Sequence, residues 1–144
     1  KTLSLVSFGR GLMMSWSMDG KFGLRFTTAQ DRSFRLTLTD GADKILANLD
    51  FLTLPEKCLL EQFKIYCAIP QFYNSPIAPT LPDDYIRKAV YSNDYIYAVN
   101  TTQNDIQSVF GGGNQAIDAV RLGISGKQLF FINRYDNKLY SLEM

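Results

Sequence analysis

Apolar and polar residues alternate along most of this chain with a period of two. The alternation runs through residues 22–28, breaks at the polar segment 30–33 and resumes over 34–38. Side chains two positions apart lie on the same face of a strand, so this period predicts β-strands. A short apolar run at 12–16 precedes them and stops at the turn-forming residues 17–20. Together these segments predict a three-stranded antiparallel meander.

The end of the chain carries a similar pattern. Apolar segments at 119–124, 129–132 and 139–142 are separated by short polar turns. When the two ends are aligned, Asp19-Gly20-Lys21 corresponds to Ser125-Gly126-Lys127, and the second copy is shorter at its first turn. This correspondence predicts that both ends of the chain are copies of one small antiparallel unit.

A more divergent unit lies between the two copies. It contains predicted strands within 59–69 and 89–99, separated by a long proline-containing loop over 70–84. The internal period is about 50 residues, which is typical of β-propeller blades. We therefore predict an all-β chain with a single propeller-type domain over 1–144, built from about three antiparallel units near 1–50, 51–103 and 104–144. Because propellers usually close with four to eight blades, these units are expected to belong to a larger or oligomeric propeller. A β-sandwich of the same strands is the structural alternative.

Two segments allow a second interpretation. Thr53-Leu54-Pro55-Glu56 fits a helix capping box, so a helix over 54–66 is possible, although the β-branched and aromatic residues of 63–69 favour a strand. The segment from Asn104 to Phe110, which ends at glycines, fits either a short helix or a flexible connection between blades. We favour the strand in the first case and the connection in the second.

Composition excludes several classes of function. The 144 residues include 15 Lys and Arg against 14 Asp and Glu, so the chain lacks the positive charge of a nucleic-acid-binding protein. It contains no His, which excludes His-dependent nucleophiles and His-ligated metal sites within this chain. No apolar run reaches the roughly 18 residues of a membrane-spanning helix. The chain begins at Lys1 without a signal sequence, as expected of a mature secreted product, a proteolytic fragment or an excised domain.

No cofactor or metal site is expected. Asp83, Asp84, Asp94 and Asp105 lack the regular spacing of a calcium-binding loop. Cys58 and Cys67 are too far apart for a C-x2-C zinc site and have no further Cys or His to complete one. On neighbouring strands they could form a disulfide, which would indicate an oxidising compartment. The alternative is a pair of reduced, buried cysteines that pack as small apolar side chains.

One motif resembles a known family. The run Trp16-Ser17-Met18-Asp19-Gly20-Lys21 resembles the W-S-P-D-G-K core of the TolB-like, PD40 class of WD40-like β-propeller repeats, with Met18 in place of the usual Pro. The segments 54–58, 66–70 and 81–85 are similar to parts of uncharacterised bacterial envelope proteins with propeller repeats. The resemblance implies that the two cysteines pair on adjacent strands. It implies an extracytoplasmic location at the cell envelope, and it supplies no catalytic residues.

The loop over 70–84 is the best candidate for a recognition surface. Long loops without regular structure are often functional, and Phe72, Tyr73 and Tyr85 offer aromatic anchors for a partner. We therefore expect a non-catalytic, extracytoplasmic module that binds a protein partner or the remaining propeller blades, or that self-associates. The alternative is an accessory domain of a larger hydrolase or peptidase whose catalytic residues lie outside this chain.

Overall fold

The chain forms three antiparallel β-sheets in a computed structural model, which describes residues 1–61, 64–101, 105–111 and 113–144. Every sheet is an up-and-down meander of strands that are consecutive in the chain. The first sheet contains β1 (Met13–Trp16), β2 (Phe22–Thr28), β3 (Phe34–Asp40) and β4 (Ile45–Leu49). The second contains β5 (Cys58–Glu61), β6 (Lys64–Tyr73), β7 (Ser92–Asn100) and β8 (Asp105–Phe110). The third contains β9 (Ala119–Ser125), β10 (Gln128–Asn133) and β11 (Lys138–Glu143).

Helical structure among the described residues is limited to two short segments. A 3-10 turn (Pro55–Lys57) precedes β5, and one short helix, α1 (Asp83–Ile86), lies between β6 and β7. The predicted all-β class is therefore confirmed. No helix within the described ranges is long and apolar enough to cross a membrane.

The turns of the first and third sheets use the same backbone conformations. Gly20 and Gly126, at the first turn of each sheet, have φ of +67° and +61°. Arg32 and Asn137, at the second turn of each, have φ of 66° and 57°. Glycine adopts the left-handed region of φ readily, whereas other residues are strained there. Each of these turns therefore requires a left-handed residue at the same position. The two ends of the chain are thus similar in strand order and in turn geometry.

The second sheet is the middle layer of a stack. Alternate side chains of β5 and β6 belong to different apolar clusters. Leu60 and Ile65 pack with Leu24 and Phe26 of the first sheet. Ala68 of β6 packs with Leu129 of the third sheet in a second cluster. A strand that is covered on both faces has no polar face, which explains the nearly continuous apolar sequence of β6.

Several local predictions differ from the structure. The segment 54–66 does not form a helix beyond the 3-10 turn, and the favoured strand is present on either side of Gln62 and Phe63, which lie outside the described residues. Asp105–Phe110 is neither a helix nor a connection but β8, paired with β7; Asn104 lies outside the described residues. Because β8 belongs to the second sheet, the third sheet begins at Ala119, whereas the predicted third unit begins at 104. Strand β4 was absent from the predicted first meander.

Candidate functional site

A buried ionic cluster lies between the second and third sheets. Lys57, the last residue of the 3-10 turn, is 1% exposed. Its Nζ lies 2.7 Å from Oδ2 of Asp94 and 2.6 Å from Oδ1 of Asp118. It also donates a hydrogen bond to the Ser92 hydroxyl at 2.8 Å. A buried lysine is stable only when its charge is paired, and here one ammonium group is bound by two carboxylates.

Arg134 supplies the second cation of the cluster. Its guanidinium donates to Oδ2 of Asp118 at 2.7 Å and to the backbone carbonyl of Tyr85 at 2.9 Å. The same group stacks on the Tyr85 ring, 3.7 Å from its centroid, and faces the Tyr91 ring at 4.9 Å. Two cations therefore face two carboxylates, so the cluster has no net formal charge.

Backbone amides hold the carboxylates in place. Asp118 Oδ2 accepts from the Ser92 amide at 3.1 Å, and Asp94 Oδ2 accepts from the Ala119 amide at 2.7 Å. The Asn133 side-chain oxygen accepts from the Asp118 amide at 3.0 Å. These bonds connect the start of β7 to the start of β9 and the end of β10. The cluster thus fixes how the second and third sheets meet.

Burial shifts the pKa values of Asp94 in the cluster and of Tyr85 beside it. Desolvation raises the pKa of Asp94 above its ordinary value, and the neighbouring Lys57 offsets part of that rise. Desolvation also raises the pKa of Tyr85, to which the Asp118 charge adds. Asp94 Oδ1 and the Tyr85 hydroxyl have no hydrogen-bond partner among the described residues. Because Lys57, Asp94 and Asp118 are almost fully enclosed, these groups are placed to hold the sheets together rather than to meet a substrate.

The sequence-predicted residues lie in three different environments. Cys58 and Cys67 form the predicted disulfide, which bridges directly opposed positions of β5 and β6. Phe72 is 61% exposed at the end of β6, and Tyr73 beside it is half-buried. Tyr85 does not lie at a surface as a binding anchor would, because it is 2% exposed and its ring is covered by Arg134.

The four aspartates that were considered for a metal do not converge. Asp83 and Asp105 are exposed, and Asp84 accepts a hydrogen bond from the Thr80 amide in its own loop. Asp94 alone joins the ionic cluster. Within the described part of the chain, no group of three or more His, Cys, Asp or Glu side chains is arranged to hold a metal ion.

The ionic cluster was not predicted from the sequence, although a local signal exists. Asp118 lies between the buried, apolar Ile117 and Ala119, whereas Lys57 follows the exposed Glu56 and lacks this signal. A single charge inside an apolar run indicates that an opposite charge must reach it. The sequence does not show which opposite charge does so, because Lys57 and Asp118 are 61 positions apart.

A surface cleft adjoins the loop that follows β6. It has a volume of 530 Å³ and lies between that loop and the turn that joins β2 to β3. Phe34, Phe72, Tyr73 and Ile77 line it, with Arg32 at its border. Two of the three predicted anchor residues thus share one cleft.

Comparison with known proteins adds no relative: no protein-family model, no curated protein and no solved structure matches this chain.

Proposed function

We propose that this chain is a non-catalytic, propeller-type module of an extracytoplasmic protein, which provides a scaffold surface for further blades or for a partner protein. One observation carries the proposal: three similar antiparallel meanders stack face to face, and the outer faces of the stack retain exposed apolar side chains. Consecutive blades of a propeller also pack face to face, and this likeness supports the proposal.

The contacts between the sheets support a blade-like stack. Strand β5 contacts β9, and the 3-10 turn before β5 contacts both β1 and β9. The first strand of each sheet therefore lies toward its neighbours, as inner strands do around a propeller axis. The last strands, β4, β8 and β11, are each paired on one side only.

The outer face of the third sheet is apolar. Leu139 of β11 is directly opposite Ile132 of β10, so both side chains lie on the face opposite to that of Leu129 and Phe131, which pack against the second sheet. Leu139 is 69% exposed, and Phe130 on the same face is partly exposed. Apolar side chains that line up on a sheet face are the feature that a further layer would cover.

The opposite end of the stack is also apolar. Trp16 is partly exposed and lies over Gly23, where a side chain would collide with the indole ring. The segment before β1 crosses this face, and the Phe8 carbonyl accepts a hydrogen bond from Arg25. Leu5 in that segment is 81% exposed. Both ends of the stack thus present surfaces suited to protein contact.

The disulfide supports the extracytoplasmic part of the proposal. Such bonds persist in oxidising compartments and are rare in the cytosol. The bond between Cys58 and Cys67 is consistent with a periplasmic, secreted or cell-surface location.

Self-association of the isolated chain tests the scaffold proposal. Multi-angle light scattering after gel filtration, at protein concentrations from about 10 to 500 µM, should show mass that increases with concentration, because the apolar outer faces find each other. Leu139→Lys should reduce this association. Ile106→Lys is the matched control, since Ile106 is exposed on β8 of the middle sheet rather than on an outer sheet face. A monodisperse monomer throughout this range, unchanged by Leu139→Lys, would contradict the proposal.

A further inference from the structure

The cleft beside the loop that follows β6 continues into a second, more polar cleft. The first has a volume of 530 Å³ and the second a volume of 320 Å³. They share a border that includes Thr28, Arg32 and Leu81. We call the two together the double cleft. A ligand that fills it meets an apolar surface at one end and a polar surface at the other.

The apolar end is lined by large side chains that remain accessible. Phe72 and Ile77 are exposed, and Phe34 on β3 is partly exposed beside them. Leu52 and Tyr73 form part of the same wall and are half-buried. Concave sites lined by apolar and aromatic side chains, with a few polar groups, are typical of ligand and peptide binding.

The polar end carries an excess of positive charge. Arg10 and Arg32 line it, with Asp83 as the one acidic lining residue. Neither arginine forms an ion pair or a side-chain hydrogen bond within the described residues. Arg32 has φ of 66°, a conformation in which glycine or asparagine is more common. Asn137 has the same conformation at the equivalent turn of the third sheet, so this φ is a property of the turn.

The loop wall of the double cleft is held in place by hydrogen bonds. The Asn74 amide donates to the Tyr91 carbonyl at 2.9 Å, and the Tyr91 amide donates to the Asn74 side chain at 2.7 Å. At the other end, the Thr80 amide donates to Asp84 at 2.7 Å. Pro76, Pro79 and Pro82 further restrict the backbone between these points. A preformed wall lowers the entropy that binding would otherwise cost.

We propose that the double cleft binds an extended peptide segment of a partner protein that carries a bulky apolar side chain next to a carboxylate, as a free C-terminus with an apolar last residue does. The apolar side chain would occupy the cleft between Phe72 and Phe34, and the carboxylate would pair with Arg32 and Arg10. Charge complementarity selects this partner, because two unpaired guanidinium groups line the polar cleft and one of them, that of Arg32, also lines the apolar cleft. The inference rests on the protein-binding function proposed above and names the chemistry of its partner.

Nuclear magnetic resonance titration of the whole ¹⁵N-labelled chain tests the proposal. The probes are the tripeptide N-acetyl-leucyl-phenylalanyl-leucine as the free acid and as its C-terminal amide. The free acid should cause saturable shifts in the backbone amides around Arg32, Phe34 and Phe72. The amide should bind about fivefold more weakly, the effect expected of one partly exposed ion pair.

Variants assign the effect to the double cleft. Arg32→Gln and Arg10→Gln should each reduce the difference between acid and amide, whereas Arg35→Gln, an exposed arginine outside the cleft, should preserve it. Phe72→Ser should weaken both probes, and Ile106→Ser, a matched change at an exposed position of β8, should weaken neither.

Three results would overturn the proposal: equal binding of acid and amide, no shift at the cleft at probe concentrations up to about 10 mM, or shifts at other surfaces only. Octanoate that binds as tightly as the free acid would also overturn it, because the site would then recognise any apolar carboxylate rather than a peptide. Self-association is measured separately with Leu139→Lys. Failure of the peptide titration therefore does not imply failure of the scaffold proposal.

Discussion

Replacing Lys57 by Met removes one charge from the ionic cluster while keeping an unbranched side chain of similar length. The native Nζ is within 2.8 Å of three oxygen atoms, on Asp94, Asp118 and Ser92. Asp118 retains Arg134 as a partner after the substitution. Asp94 loses its only ion pair within the described residues and keeps the bond from the Ala119 amide. The variant therefore contains a buried, uncompensated carboxylate.

The expected loss of stability is set by the unpaired Asp94 carboxylate and not only by the lost attraction between Lys57 and Asp94. Removing one partner of a buried ion pair typically costs about 3–5 kcal/mol, because the remaining charge stays desolvated. We expect Lys57→Met to lower the free energy of unfolding by about this amount at pH 7. For a domain of this size, each kcal/mol shifts the melting temperature by roughly 2–4 °C. The expected decrease in melting temperature is roughly 6–20 °C.

The assay is urea unfolding followed by circular dichroism, with Lys127→Met as the control at an exposed lysine. Since Lys57 lowers the pKa of Asp94, its removal lets Asp94 bind a proton at higher pH, and the cost of the substitution should be smaller at pH 5 than at pH 7. The double variant Lys57→Met with Asp94→Asn should recover part of the loss. A cost below about 1 kcal/mol, or one that does not change between the two pH values, would refute this reasoning.

Two further predictions concern the same part of the fold. In the folded state the pKa of Asp94 lies above its ordinary value of 3.8. At pH values between 3.8 and the raised pKa, the folded state therefore binds more protons than the unfolded state, which stabilises it. This stabilisation is lost as the pH rises through that range. In urea titrations, the free energy of unfolding of the native protein minus that of Asp94→Asn should accordingly decrease as the pH rises from about 4 towards neutrality. An increase would contradict a raised pKa of Asp94. Joint replacement of Cys58 and Cys67 by Ala should lower the free energy of unfolding by roughly 2–3 kcal/mol, the entropy of closing a loop of about ten residues. Reductant should lower the free energy of unfolding of the native protein to about that of the variant and should leave the variant unchanged. If reductant changes the stability of neither protein, the disulfide is contradicted.

The sequence predicted the inner strands well because their side chains alternate between two environments. In β2, Leu24 and Phe26 are buried and Arg25 between them is partly exposed, so burial and residue type have the same period. The outer strands β4 and β8 lack this signal. Strand β8 has mostly exposed side chains, and Ile45–Leu49 has apolar residues on both faces. An outer strand is defined by its hydrogen-bonded neighbour, which local alternation does not reveal.

Burial of Tyr85 was missed for a related reason. Aromatic residues in a proline-rich loop are usually exposed, and the sequence does not show that the last turn of the loop folds inward as α1. The Tyr85 ring is covered by Arg134, which lies 49 positions away in the chain. Among the described residues, no cation covers the Phe72 ring, which remains exposed. The two aromatic residues therefore have opposite environments, because Tyr85 packs in an apolar cluster beneath Arg134 whereas Phe72 lies at the exposed end of β6.

The two contacts of the middle sheet differ in chemistry, and this difference has a structural consequence. The contact with the first sheet is mainly apolar, through residues such as Phe26 and Leu60. The contact with the third sheet adds the ionic cluster, in which Asp118 directly precedes β9 and Arg134 directly follows β10. Apolar contacts tolerate small shifts because they have no fixed direction. A shift of β9 by one residue would carry Asp118 away from Lys57, so that the buried ammonium group would lose one of its two carboxylates. The ionic cluster therefore specifies how the third sheet is placed more than it adds to stability.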